Sequence, residues 1–514
     1  MAHYVLALDQ GTTSSRAILF DEMGNIRAKA QYPLKQYYPQ PGWVEEDAAE
    51  ILDTELLAMH DVLTQSQISP AELAAIGITN QRETTILWDR TTGEPISHAI
   101  VWQCRRTTEL CRQLKRDGLE PHVRQTTGLI LDPYFSATKI KWLLDQDPAL
   151  RCRAEKGEIL FGTVDSWLIW NLTGGQSHVI EYSNASRTML FDLEMRCWDP
   201  VLLQALEIPA AMLPQPVPSC GICGRLSARF TNLAPFADTP IAGIAGDQQA
   251  ALFGQGCFHA GMAKNTYGTG CFTLMNTGRQ RVTSSHGLLT SIAWSIRGET
   301  YYALEGSAFH AGSAIQWLQN ELGVITFPHE CDILAELPQA EQGVYFVPAF
   351  SGLGAPYWDP DARGCFFGLT RGAEKAALCR AVLESIAFEV TDLVETMNLD
   401  AGTPVTELRA DGGASVSDFL LQAQANFARI PVSRPETVES TALGAAFLAG
   451  LAVGLWPDLE VLEKIRVEQQ RFTPNLDAEI RAHRLTNWHT AVKLARSWGN
   501  EVLPDCNLYQ TDVK

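Results

Sequence analysis

Apolar and polar residues alternate along 26–31 (IRAKAQ), with Ile26, Ala28 and Ala30 on one side and Arg27, Lys29 and Gln31 on the other. That period of two predicts a strand with one wet face. Two apolar runs precede it: YVLAL, ending at Asp9, and AILF, after the turn QGTTSSR. Residues 4–31 are therefore expected to form three short strands, with DEMGN as the second turn. Over 45–63 the period becomes helical, with Ala48, Ile51, Leu52, Leu56, Met59, Val62 and Leu63 apolar. LAAIGIT then reads as a buried strand that ends in the polar NQRE of 80–83. PIAGIAGDQQAALFG repeats this grammar, an apolar strand running into Gly246 and Asp247 before a helix begins. Strands alternating with helices predict an α/β fold, in which ligands bind beyond the carboxyl ends of the strands.

The first strand–turn–strand unit has an echo. AKNTYGTGCFTLMNT at 263–277 also reads as strand, Gly-Thr turn, strand. The echo predicts a duplicated core with one phosphate-facing hairpin in each half, and a boundary near residue 254 (1–253 and 254–514). TALGAAFLAGLAVGLW at 441–456 puts Ala442, Ala446 and Gly450 on one face and Leu443, Phe447 and Leu451 on the next. It is too short and too rich in small residues for a membrane span, so a buried helix with a close neighbour is expected.

Length and charge narrow the class. At 514 residues the chain exceeds one ordinary core, and an apolar share of 46% is that of a globular protein. The net charge of −19 argues against a nucleic-acid partner, which needs a basic footprint. It also requires that any cation facing phosphates be placed locally. No basic leader or long apolar run is evident, so a soluble cytoplasmic protein without a membrane span is expected. Of 12 cysteines only Cys220 and Cys223 stand at CxxC spacing, and free thiols are expected.

Neither a Walker A pattern nor a GxGxxG follows a strand, so phosphates must be held in another way. The turn after Asp9 offers one. Gly11 lets the backbone come close, Thr12, Thr13 and Ser14 present hydroxyl and N–H groups, and Arg16 adds charge. Asp9 is placed to hold Mg²⁺ through water. An ordinary hairpin turn would contain the same residues. Asp247 in GDQQ is a candidate base for a substrate hydroxyl, or else a helix cap. Arg82 with Glu83 is a donor–acceptor pair for a polyhydroxy ligand, or else a solvated loop pair. DGGA (411–414) and EGSAFHAGSAIQWL (305–318) add paired glycines and a helix that starts near Gly312 and carries Gln316.

Together DQGTTSSR, NQRETT, YFSATKIKWLLDQ, SNASRTMLF, GIAGDQQAALFGQG, KNTYGTGCF, YALEG, FVPAFSGLGAPYWDPDARG, DGGA and TALGAAFLAGLAVG resemble the FGGY carbohydrate kinase family nearly end to end. The resemblance implies two actin-like ATPase (ribonuclease H-like) domains with ATP and polyol in the cleft between them. NQRETT with GDQQ implies glycerol as acceptor, converted by Mg-ATP to glycerol 3-phosphate. By matching position, Arg82, Glu83, Tyr134, Asp247 and Gln248 would bind the hydroxyls, and Trp102 and Phe272 would wall the carbon chain. Asp247 would be the base and would join Asp9 around Mg²⁺. Thr12, Thr13, Ser14 and Arg16 would hold the β- and γ-phosphates. Thr269, Gly312, Gln316, Gly413 and Ser417 would line the nucleotide. The resemblance admits a homodimer or homotetramer.

Two departures stand out. Ser417 occupies a place where relatives carry Asn near the adenosine. TNLAPFADTP (231–240) lacks the glycine-rich basic loop through which a sugar bisphosphate inhibits some bacterial members, and the phosphorylatable His of others. Neither control is expected to act through this loop. The alternatives are a kinase for another small polyol or a ketose such as xylulose, and an actin-like protein that binds ATP without turnover.

Overall fold

The computed structural model of the chain describes residues 3–437 and 439–501. Strands β1 (Tyr4–Gln10), β2 (Ser14–Asp21), β3 (Ile26–Pro33), β4 (Leu73–Asn80), β5 (Cys220–Arg225) and β6 (Pro240–Gly246) form one sheet in the order β5-β6-β4-β1-β2-β3. Strands β7 (Met262–Tyr267), β8 (Cys271–Gly278), β9 (Leu289–Ile296), β10 (Glu299–Ala308), β11 (Glu407–Asp411), β12 (Val432–Pro435) and β13 (Glu468–Phe472) form a second, in the order β9-β10-β8-β7-β11-β12-β13. The two share a plan. In each, a hairpin (β1–β2, β7–β8) has its first strand flanked by a parallel neighbour, β4 or β11. The Gly-Thr hairpins at residues 4–21 and 262–278 therefore occupy equivalent places, as the echo in the sequence predicts.

The apolar runs are continuous because the strands are covered on both faces. Leu6 and Leu8 of β1 face a cluster with Ile51, Ala58, Met59 and Val62 of helix α1 (Ala48–Ser66). Val5 and Ala7 face the opposite way, into a different cluster. On β3, Ala28, Ala30 and Tyr32 pack toward α1 while Arg27, Lys29 and Gln31 are exposed, which is the alternation expected. Ile26 departs from it and is exposed.

The second cluster of the first sheet ties the halves of the chain together. It contains Val5 and Ala7, Phe253 of helix α2 (Asp247–Gly254), Leu274 and Trp294 of the second sheet, and Phe447 and Leu448 of a later helix. Helix α3 (Gly312–Asn320) and the long helix α4 (Lys375–Ala401) precede that later helix, α5 (Ser440–Val453). Although α5 follows six of the seven strands of the second sheet, it packs on β1, β4 and β6 of the first and against α2. The approach is backbone to backbone. A Cβ on Gly77 would lie 2.4 Å from the carbonyl oxygen of Ala445, and one on Gly444 would lie 1.9 Å from that of Ala250. The helix read as buried from its small and apolar faces is therefore the element that joins α2 to the first sheet. No described helix is long and apolar enough to cross a membrane.

Candidate active site

Strands β1, β4 and β6 run parallel, with Asp9 and Ala245 both level with Thr79. Their carboxyl ends deliver the turn after Asp9, the segment Gln81–Glu83, and Asp247 to one edge. In the second sheet β7 and β11 run parallel and end in the turn around Thr269 and in Gly412–Gly413.

Arg82 is not a solvated loop residue. Its side chain is 2% exposed and each nitrogen of its guanidinium has a partner. Nε lies 3.2 Å from Asp247 Oδ1, and the terminal nitrogens donate to Glu305 Oε2 and Oε1 at 2.6 and 2.8 Å. Gln249 Oε1 accepts a further bond at 3.2 Å. Glu83 accepts from Arg187 Nε at 2.6 Å, and Arg187 also lies 3.4 Å from Glu305. Two arginines and two glutamates thus form a buried, charge-balanced lattice whose bidentate core fixes direction as well as charge. Burial works to raise the Glu305 carboxyl, but Arg187 and Arg82 overcome it and hold it at about 2. For Glu83 burial prevails over the same two cations and the carboxyl is raised. Gly246 clears the way: a Cβ there would sit 2.7 Å from Arg82 Cγ and Cδ. Asp247, 31% exposed, is the open member of the group.

The aromatic residues come together beside this lattice. Trp102 meets Tyr134 edge-on at 5.5 Å and Phe272 at 6.4 Å between ring centres. Arg187 lies 5.3 Å over the Tyr134 ring. Burial pushes the Tyr134 hydroxyl upward, so it stays protonated and able to donate. An apolar wall facing fixed charges suits a small molecule that carries hydroxyls on a short carbon chain.

The turn after Asp9 touches that wall, because Trp102 Nε1 donates to Thr12 Oγ1 at 3.0 Å. Gly11 N–H closes the turn on the carbonyl of Ser14 at 2.9 Å, Thr13 is exposed, and Ser14 Oγ accepts from Gln31 at 2.9 Å. Arg16, expected on the phosphate side, is paired with Asp9 at 2.6 Å and Glu439 at 3.1 Å. The physical reason is Asp9, a buried carboxylate that needs a counter-charge. Burial, joined by Glu439 and Asp247 and opposed by Arg16, lifts the Asp9 carboxyl to about 6. Arg16 approaches Asp9 Oδ2 off the line of a hydrogen bond, and that buried oxygen has no donor. Among the described residues no cluster of three or more His, Cys, Asp or Glu forms a metal cage. An oxygen without a donor, near a second carboxylate, suits a Mg²⁺ ion that keeps most of its waters.

At the end of β7, Ala311, Gly312 and Ser313 N–H groups bond the carbonyls of Gly268 and Thr269 at 2.8–3.2 Å, so Thr269 and Gly312 are brought into one unit. A Cβ on Gly312 would meet the Gly268 carbonyl at 2.7 Å. Gln316 lies exposed on α3, and Gly413 faces open space. Ser417 caps the helix that follows it, accepting from Leu420 N–H at 3.0 Å and donating to Asp332, which commits its hydroxyl.

Sequence reasoning assigned no role to Glu305, Arg187, Lys264 or Asp411, although each lies in a motif already quoted. The signal for Arg187 was the stretch SNASR. Asn80 and Asn184 exchange amide hydrogen bonds at 3.0 and 3.1 Å, which pins this segment to the end of β4 and brings Arg187 to Glu83.

The N-terminal domain model of the FGGY family of carbohydrate kinases matches residues 4–254, and the C-terminal domain model matches 263–453. The chain is 54% identical to the glycerol kinase of Halorhodospira halophila, covering 97% of each. It is 53% identical to glycerol kinase 2 of Thermotoga maritima, covering 96% of this chain and 99% of that one. Among solved structures, Plasmodium falciparum glycerol kinase with ADP superposes with a TM-score of 0.90 at 35% identity, covering 96% of this chain and 98% of that one.

Proposed function

The chain belongs to the FGGY family of carbohydrate kinases, and on that premise we propose that it transfers the γ-phosphoryl group of ATP to a terminal hydroxyl of glycerol, giving sn-glycerol 3-phosphate and ADP. One observation carries this reading. A partly exposed carboxylate, Asp247, is held by a buried arginine–glutamate lattice that also touches the aromatic wall, through Arg187 over Tyr134, in a chain 54% identical to glycerol kinases over nearly its full length. The lattice supplies donors and acceptors for vicinal hydroxyls, and the wall covers their CH groups.

Asp247 accepts the proton of the attacking hydroxyl. The oxygen then bonds to the γ-phosphorus as the bond to the β,γ-bridging oxygen breaks, and ADP leaves. Arg82 and the Gln248 backbone N–H, 2.7 Å from Asp247 Oδ1, hold the carboxylate in one orientation. Positioning of this kind supplies most of what phosphoryl transfer needs from a protein. Thr12, Thr13, Ser14 and Arg16 are read as the phosphate side, and Thr269, Gly312, Gln316, Gly413 and Ser417 as the nucleotide side. Asp9 and Asp247 would hold Mg²⁺ through water, and the ion when bound neutralises charge on the β- and γ-phosphates. A cleft between 1–253 and 254–514 would exclude the water that competes as acceptor.

The test is ADP release by the purified protein with glycerol, with xylulose and other polyols, and with water alone. Glycerol should give the highest kcat/KM. A larger ketose outperforming it would reassign the acceptor, and ADP release no faster than with water would remove the kinase reading.

A further inference from the structure

Lys264 lies on β7, wholly buried, with its ammonium turned toward α2 in the other half of the chain. Nζ donates to Gln248 Oε1 and, at 2.8 Å, to Thr266 Oγ1. Thr266 Oγ1 donates to Asp411 Oδ1 at 2.6 Å, and Asp411 Oδ2 accepts from Gln255 Nε2 at 3.1 Å. At the other end, Gln248 Nε2 lies 3.4 Å from Asp247 Oδ2. A continuous polar chain therefore runs from Asp411, which leads into the turn at Gly412–Gly413, to the partly exposed carboxylate of Asp247.

The chemistry of that chain is directional. The two ends of an amide are nearly equal in shape, so a glutamine alone does not choose which end faces a neighbour. An ammonium has only donors and accepts nothing, so it fixes Oε1 of Gln248 toward itself and the NH₂ toward Asp247. Keeping a cation dry is costly: burial lowers the Lys264 ammonium to about 8, against the pull of Asp411 and Asp247. Packing alone is better served by an apolar side chain of similar volume.

We propose that Lys264 is a positioning residue, which orients the Gln248 amide and, through Thr266, registers the acceptor-side helix α2 against the nucleotide-side strand β11. The proposal rests on the reading of the site as a glycerol-phosphorylating centre, in which Gln248 faces an acceptor hydroxyl. Losing the lysine should then disturb the acceptor more than the nucleotide.

Kinetics of Lys264→Met, Lys264→Arg, Gln248→Ala and the Lys264→Met/Gln248→Ala double variant decide the matter. Lys264→Met should lower kcat/KM for glycerol by roughly 10- to 100-fold, as expected for a lost charge-assisted hydrogen bond, and leave KM for ATP within about twofold. Lys264→Arg should recover part of the loss. In the Gln248→Ala background Lys264→Met should cost less than about threefold more, because both act through one amide. Equal losses on both backgrounds, or kcat/KM for Lys264→Met within about twofold of wild type, would overturn the proposal. Should Lys264→Met not fold, Thr266→Val cuts the same chain one link away. A roughly fivefold or greater loss of glycerol kcat/KM in that variant, with ATP KM retained, supports the proposal, and unchanged kinetics reject it. Wild-type protein inactive on glycerol would reject the function itself, whereas an active wild type with an insensitive Lys264→Met rejects this inference alone.

Discussion

Glu83 holds a left-handed backbone conformation (φ 61°) although it is buried and carries a long side chain. Such strain persists only where surrounding contacts over-determine it. Here the contacts are Arg187 on its carboxylate and Ser136, whose hydroxyl donates to its carbonyl at 2.9 Å. The turn aims Arg82 and Glu83 into the same lattice, which explains how adjacent residues can both serve one site. Two predictions belong to this scale. Asp247→Asn keeps the shape and removes the proton acceptor, so ADP release should fall by roughly 10²- to 10⁴-fold while calorimetry still detects glycerol binding. Unchanged turnover would take Asp247 out of the chemistry. Glu305→Gln leaves Arg82 and Arg187 short of a counter-charge in a dry site. It should destabilise the fold by about 3 kcal/mol or more in denaturant unfolding and raise KM for glycerol.

At the scale of elements, the site depends on where strands end and on how closely helices approach. Three parallel strands end at one edge, so residues 9, 80–83 and 247, distant in sequence, become neighbours. Helix α5 holds that edge to α2 through a contact that leaves no space for a side chain at Gly444. Gly444→Ala should therefore destabilise the protein by about 1–3 kcal/mol, through displacement of the backbone rather than helix propensity. Gly221→Ala, where an added Cβ meets nothing within 4 Å, should change stability by less than about 0.5 kcal/mol. Thermal unfolding of the pair checks this, and equal effects would show that the close helix approach is not what Gly444 serves.

For the whole molecule, buried carboxyls set the response to pH. Burial, with Asp392 nearby, pushes Glu389 of α4 up to about 8, and one of its oxygens has no hydrogen-bond partner. A carboxyl raised in the folded state stabilises the fold in acid. That contribution drains away as pH rises from its unfolded value near 4.5 to about 8. Glu389→Gln should accordingly be more stable than wild type at pH 8, on the order of 1 kcal/mol or more, with the advantage shrinking toward pH 5. A pH-independent difference would mean that Glu389 is not the group that titrates. What the sequence determined by itself was whatever repeats locally or is short in range: the period-two strands, the helical stripe of α1, the Gly-Thr hairpin and its echo, the small face of α5, and the residue types at strand ends. The tertiary structure alone decided the partners. Arg16 turned to Asp9, Arg82 was locked by Glu305, Arg187 was carried in by an asparagine pair, and Lys264 reached across to Gln248. The physical reason is that periodicity records which face of an element is dry. The pairing of buried charges depends on which faces meet, and these pairs join residues up to 223 positions apart in the chain.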